Sequence, residues 1–177
     1  MIYLDLDDFY ESNTALDTLT RLKQEIPQFK VTLFTILGRC SYSFIQQVKA
    51  IEWIDMVPHG FMHETSRECE HWTYAQAKKT ISWFSQFGIT RGFKAPGWQI
   101  SDGTYSALLD LNYWVADQSY NNIRRPKDLP AYLLDIAGKI HGHIGHLGGH
   151  NENELSLLMP ELLKLKDKEF GFVKDTF

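Results

Sequence analysis

Short apolar, β-branched or aromatic runs alternate along this chain with stretches that carry apolar residues at helical spacing, and that alternation constrains the fold more than any other feature. Residues 2–7 (IYLDLD) read as a strand ending on carboxylates. Leu16, Leu19, Leu22 and Ile26 mark a helix within 13–26, and Pro27 stops it. Residues 30–37 (KVTLFTIL) predict a buried strand, 42–51 a helix, and 53–57 (WIDMV) a strand closed by Pro58. The helix over 73–87 is the best marked: Thr73 is placed to cap it, Tyr74, Ala77, Ile81 and Phe84 share a face, and Gly88 follows as a C-terminal glycine. Residues 91–94 and 113–117 are strands flanking a helix that Ser101 caps and that runs to about Leu111. A polar loop over 119–130, a short helix at 130–136, a strand at 138–143, a helix through Leu155, Leu158, Leu162 and Leu165, and a last strand at 169–173 complete the reading.

Seven strands alternating with helices place the chain in the α/β class, a parallel sheet with helices outside, wound as a barrel or as a doubly wound sheet. Either way, the carboxyl ends of the strands carry the site. The 177 residues read as a single domain, 1–177, without repeat or linker. Eighteen Lys and Arg against 22 Asp and Glu argue against a nucleic-acid partner, which needs a phosphate-neutralising surface. Cys40 and Cys69 imply no disulfide framework. The acidic start MIYLDLDDFY does not have the pattern of a signal peptide, and no stretch approaches the roughly 18 apolar residues of a membrane span. The expected setting is therefore the cytoplasm, with no membrane partner.

Four groups fall just after expected strands. Asp7 and Asp8 follow Asp5-Leu6; of two adjacent carboxylates, one can bind a metal while the other acts as a base, because their environments can separate their pKa values. His59-Gly60-Phe61-Met62-His63 places two imidazoles where a curled segment can share one cation, and histidine with carboxylate suits Zn(II) or a similar ion. Gly60 stands where a metalloprotease would carry its glutamate, so that activity is excluded. Lys94-Ala95-Pro96-Gly97-Trp98 sets an aromatic ring at a strand end, where it can wall a sugar site. His141 and His143 share one side of their strand; either can be a general acid, and the strand-end position favours His143. Asp117 is a fifth candidate, at the end of its strand. His146 and His150, in a glycine-rich loop, are weaker ones. Glu64, Glu68 and Glu70 read as a solvated loop, His71 as a surface residue, and Cys69 has no base partner signposted.

In this order the groups resemble the polysaccharide deacetylase (NodB-type) family, also called carbohydrate esterase family four, over Asp7 to His143. The resemblance implies a distorted (β/α)7 barrel with an incomplete wall. It implies Asp7 as general base, and Asp8, His59 and His63 as ligands of one divalent metal, with Zn the default and Co, Ni or Mn compatible. Lys94 stands where the family has the arginine that orients the base, and glycine follows Pro96 directly. Tyr113-Trp114 with Asp117 is similar to a further family motif at compressed spacing, and Ile140-His141-Gly142-His143 to the closing motif. That places the acid at His143, or at His141 if the register slips. Trp98, Trp114 and His141 are expected to contact substrate.

The implied activity is metal-dependent hydrolysis of an N-acyl group, acetyl first, from an amino sugar or glycan. A second reading is an intracellular amide hydrolase acting on a small or nucleotide-linked N-acyl compound. A third is a non-catalytic module that binds a sugar or a protein. A phosphoesterase is weaker, since only Lys94, Arg124 and Arg125 offer charge to a phosphate.

Overall fold

A computed structural model describes residues 1–118, 122–133, 135–145 and 154–177. Its strands are β1 (Ile2–Phe9), β2 (Val31–Thr35), β3 (Ile54–Pro58), β4 (Gly92–Lys94), β5 (Trp114–Asp117), β6 (Ala131–Leu133), β7 (Lys139–His143) and β8 (Phe170–Gly171). The α-helices are α1 (Leu16–Glu25), α2 (Tyr42–Lys49), α3 (Tyr74–Phe84), α4 (Asp102–Asp110) and α5 (Leu155–Leu163). Among the described residues every ladder between these strands is parallel, as the alternation requires.

The strands form two sheets. One runs β3-β2-β1-β7, with β8 also paired to β1; the other runs β4-β5-β6. A parallel bridge between His59 and Lys94 joins them where β3 ends. Among the described residues no ladder pairs β6 with β7. Side chains connect that side instead: the Tyr132 hydroxyl donates to Asp5 Oδ2 at 3.1 Å, and Lys139 Nζ to the Leu133 carbonyl at 3.5 Å.

Strand alternation gives two faces with different chemistry. Leu4, Leu6, Val31, Leu33, Met56, Phe93 and Val115 face outward and pack with Leu19, Leu22, Ile45, Ile81, Phe84, Leu108 and Leu162 of the helices. Each fully buried side chain of this kind contributes roughly 1.5–3 kcal/mol. The inner face begins as a smaller apolar cluster of Phe34, Val57, Trp114, Ala116, Tyr132 and Val173. Toward the strands' carboxyl ends it becomes charged, with Asp5, Asp7, His59 and Lys94 buried. Burying charges this way is tolerable only if they are paired.

Local signals fix the helix ends. Thr73 and Gln76 form a reciprocal capping box at α3, and Gly88 follows with φ 62°. Ser101 Oγ accepts from the Thr104 N–H at 3.0 Å at the start of α4. Caps of this sort contribute about 1 kcal/mol each.

One element differs in kind from the sequence expectation. Residues 131–133 are a strand, not part of a helix, because Pro130 and the next residues pair with β5 and bring Tyr132 over Asp5. The last strand is shorter than expected: after Gly171 the chain enters a helical turn, Val173–Thr176. Among the described residues no helix is long and apolar enough to cross a membrane.

Candidate active site

A cavity of about 560 Å³ opens at the strands' carboxyl ends, and its walls include Asp7, Asp8, His59, His63, Trp98, His141 and His143. Two adjacent residues of a regular strand would point to opposite faces. Here the β1–β2 register shifts between Leu6 and Phe9, and Asp8 takes a left-handed conformation with φ 65°. That irregularity turns Asp8 toward the cavity Asp7 already faces. Asn13 Nδ2 donates to the Asp8 carbonyl at 2.9 Å and holds the turn. His63 (φ 49°) and Trp98 (φ 61°) are also left-handed, so among the described residues three of the five non-glycine residues of this kind line the cavity. Such strain is maintained where the surroundings over-determine it, commonly at functional sites.

The two carboxylates sit in opposite environments. Lys94 Nζ lies 2.7 Å from both Asp7 oxygens and is itself 1% exposed. Burial pushes the Asp7 pKa up, but Lys94, His59 and His141 outweigh it and hold the group well below the carboxylate range. Among the described residues no lysine or arginine lies within ion-pair distance of Asp8, and the charges of Lys94 and Arg39 act on it only from farther off. Burial, then the charge of Asp7, raises its pKa to about 7. Its Oδ1 is buried with no hydrogen-bond partner among the described residues.

That oxygen faces two imidazole nitrogens, His63 Nε2 at 3.4 Å and His59 Nε2 at 3.7 Å. His59 Nδ1 lies 3.1 Å from the Lys94 carbonyl, a contact that assigns the proton to Nδ1 and turns the Nε2 lone pair inward. Burial lowers the His59 pKa to about 3 and lowers that of His63 too, so both rings are neutral, the form that binds metals. Ligand atoms about 2.0–2.2 Å from a tetrahedral zinc ion lie about 3.3–3.6 Å apart. The 3.4 Å separation falls inside that range and the 3.7 Å separation lies 0.1 Å beyond it.

A second grouping, Asp7 with His141 and His143, is wider, with Nε2 atoms 3.8 and 4.0 Å from Asp7 Oδ2. The Lys94 ammonium already occupies Asp7, so these donors suit an ion less well. They suit proton transfer better. His141 Nδ1 lies 2.6 Å from Oδ1 of the fully buried Asp5, which leaves Nε2 facing the cavity. Asp5 is held ionised: burial raises its pKa, but the His141 hydrogen bond and the charges of Lys94, His141 and Lys139 lower it further. His143 pairs in register with Asp7 and lines the same cavity.

Other sequence candidates separate clearly. Trp98 walls the cavity; Lys94 Nζ lies 4.2 Å from its ring centre, and the His141 ring meets it in a T-shaped, edge contact with centroids 6.1 Å apart. Trp114 does not line the cavity. As the first residue of β5 it starts at the opposite end of its strand, and its ring is buried against Phe34 and Tyr132. Asp117 anchors the following loop, accepting from Tyr105, Asn122 and Arg125. Cys69 is buried with its thiol pKa pushed up, which is inert chemistry. His71 is exposed beside Glu70. His146 and His150 lie outside the described residues. Glu68 is not a solvated side chain: its carboxylate accepts the N–H groups of Phe61, Met62 and His63. Asp5, Tyr132 and Glu68 matter here, and only Asp5 carried a sequence signal, as a third carboxylate beside Asp7 and Asp8.

Comparison with solved structures brings out the same architecture. The chain superimposes on the carbohydrate esterase family 4 domain of a multidomain xylanase from the hindgut metagenome of Trinervitermes trinervoides with a TM-score of 0.63. The identity is 16%, over 98% of this chain and 87% of that one. A family 4 acetyl xylan esterase from Clostridium thermocellum, solved with a cobalt ion, matches with a TM-score of 0.61 and 14% identity over 98% and 88%. A polysaccharide deacetylase from Bacillus cereus gives 0.59 and 18% over 97% and 90%. The chain has the family 4 carbohydrate esterase fold. This NodB-like architecture is the one the ordered motifs led us to expect. No protein-family model and no curated protein sequence matches the chain.

Proposed function

We propose that the protein is a metal-dependent hydrolase that removes an N-acyl group, acetyl first, from an amino sugar or glycan. The observation that carries this reading is the buried, unpartnered Asp8 oxygen facing two neutral imidazoles. Asp8, His59 and His63 would hold one divalent ion, Zn(II) first, with Co(II), Ni(II) or Mn(II) acceptable to the same donors. When bound, such an ion acidifies water and polarises an acyl carbonyl.

The remaining steps belong to the chain. Asp7, kept ionised and oriented by Lys94, takes the proton of the attacking water. It holds that proton only in passing, since its depressed pKa makes it a weak base and His141 Nε2 stands 3.8 Å away. His141, rather than His143, donates to the departing amine. The support for this exchange is the Asp5 carboxylate on His141 Nδ1, which fixes the orientation of the ring and keeps Nε2 toward the cavity. Trp98 offers an apolar face to a sugar ring. An amine leaves poorly unless it is protonated, so a dedicated donor favours an N-acyl over an O-acyl substrate.

The test is acetate release by metal-loaded protein from N-acetylglucosamine oligomers, from small N-acetyl amino sugars and their nucleotide-linked forms, and from O-acetylated xylan. Asp7→Asn is expected to keep the metal and lose about 10²–10⁴ in turnover. Asp5→Asn is expected to lower kcat with little change in KM. Turnover that survives Asp7→Asn refutes the mechanism. Sugar binding with no release from any substrate, by protein that carries metal, favours the binding-module reading. Release from the nucleotide-linked forms alone favours the small-molecule hydrolase.

A further inference from the structure

We infer that Glu68 is a positioning residue that sets the affinity of the Asp8–His59–His63 site for its metal by holding the turn between the two histidines. The inference rests on the metal-site reading of those three residues.

The turn is clamped from both sides. Glu68 Oε2 accepts from the Phe61 N–H at 2.9 Å and the His63 N–H at 3.1 Å, and Oε1 accepts from the Met62 N–H at 2.9 Å. Three consecutive backbone donors thus converge on one carboxylate, an arrangement of amides that favours an anion. On the other side Arg39 donates from Nε to the Met62 carbonyl at 2.7 Å and from Nη2 to the His63 carbonyl at 3.3 Å. Glu68 is itself anchored: the next residue, Cys69, is fully buried, and its carbonyl accepts from the Ser101 N–H at the start of α4.

The turn needs this support because it is strained at the ligand. His63 carries a side chain at φ 49°, a left-handed conformation in which the Cβ of a non-glycine residue crowds the following carbonyl oxygen. Gly60 (φ 60°) meets the same carboxylate; a Cβ there would stand 2.3 Å from Glu68 Oε2. Without Glu68 three backbone donors lose their acceptor, and His63 gains by relaxing to negative φ. Relaxation swings its ring off the position 3.4 Å from Asp8. His59 is independent of the clamp, because its N–H pairs with the Thr35 carbonyl and its ring with Lys94. Loss of Glu68 therefore removes one ligand of three rather than the whole site.

The experiment titrates wild type, Glu68→Gln and Glu68→Ala with Zn(II) against a chromophoric chelator, and with Co(II) followed by its visible absorption. Glu68→Ala is expected to weaken both ions about 10–100-fold, the usual effect of removing a group that orients ligands. Its Co(II) spectrum should change as the His63 nitrogen leaves. Glu68→Gln keeps one acceptor oxygen and is expected to fall between the two. Far-UV circular dichroism and the urea midpoint of metal-free protein report whether each variant folds. If Glu68→Ala does not fold, Glu68→Gln and Arg39→Met, which unclamps the carbonyl side, carry the test in its place. Wild-type affinity and spectrum in the folded variants overturn the inference and leave the metal site standing. A wild-type protein that binds neither ion overturns the metal site, and the inference with it.

Discussion

Asp8→Asn should make the metal-free protein more stable, and should do so in a pH-dependent way. Asparagine suits the site sterically, being one of the few residues at ease in the left-handed conformation that Asp8 adopts. Burial raises the Asp8 pKa from 3.8 to about 7 in the folded protein. Between those values the folded chain keeps a proton that the unfolded chain has released. The Asp8 contribution to stability is therefore lost as pH rises through this window, and the loss levels off above about pH 7. Roughly three pKa units at 1.36 kcal/mol each give a penalty of up to about 4 kcal/mol above pH 7, and under about 1 kcal/mol near pH 4. Urea unfolding in the presence of a chelator, at pH 4, 5.5 and 8, measures it. The variant should exceed wild type by an amount that grows with pH. Divalent ion at a thousand times its Kd should then stabilise wild type by about 4 kcal/mol and the variant hardly at all. A variant no more stable than wild type at pH 8, or one that gains equally from the ion, refutes the idea that Asp8 is a buried carboxylate built for a cation.

Lys94→Met leaves Asp7 buried without its counter-charge and should cost about 3–5 kcal/mol at pH 7 by urea unfolding. Lys94 and its neighbours hold the Asp7 pKa down, so the stability Asp7 contributes is present above the carboxylate range and lost as pH falls below it; the cost of Lys94→Met should shrink in acid accordingly. Trp114→Ala should lose about 3–5 kcal/mol of stability, as a core deletion does, whereas Trp98→Ala should raise KM with a smaller stability loss; paired unfolding and kinetic measurements separate the two. Gly60→Ala should cost about 1–2 kcal/mol from its positive φ and should weaken Zn(II) binding, read by chelator competition.

The strands and helices were legible because alternation and capping are local. Thr73, Gly88 and Ser101 act at the ends where their residue types belong. Residues 131–133 were not, because a short apolar run is equally a strand or a helix until a neighbouring strand offers a ladder. Trp114 shows a related limit: a tryptophan near a strand reads alike whether it fills the interior or walls a site, and only strand polarity decides. The metal ligands were legible as residue types after strands, although nothing in Asp7-Asp8 shows the register shift that brings both to one cavity. Asp5 and His141 stand 136 residues apart, and their pairing exists only once β1 and β7 are neighbours. Glu68 was hidden for a different reason: its partners are backbone N–H groups, which every sequence has and none advertises.

The central claim is one metal ion on Asp8, His59 and His63, with Asp7 left free to move a proton. Elemental mass spectrometry of the purified, metal-loaded protein tests it most directly. The account predicts one divalent ion per chain in wild type, in Asp7→Asn and in His143→Ala, and almost none in Asp8→Asn or His59→Ala. Two ions per chain, falling to one in His143→Ala, would contradict it by making Asp7 a ligand of a second site. No ion in wild type after incubation with excess Zn(II) would contradict it outright.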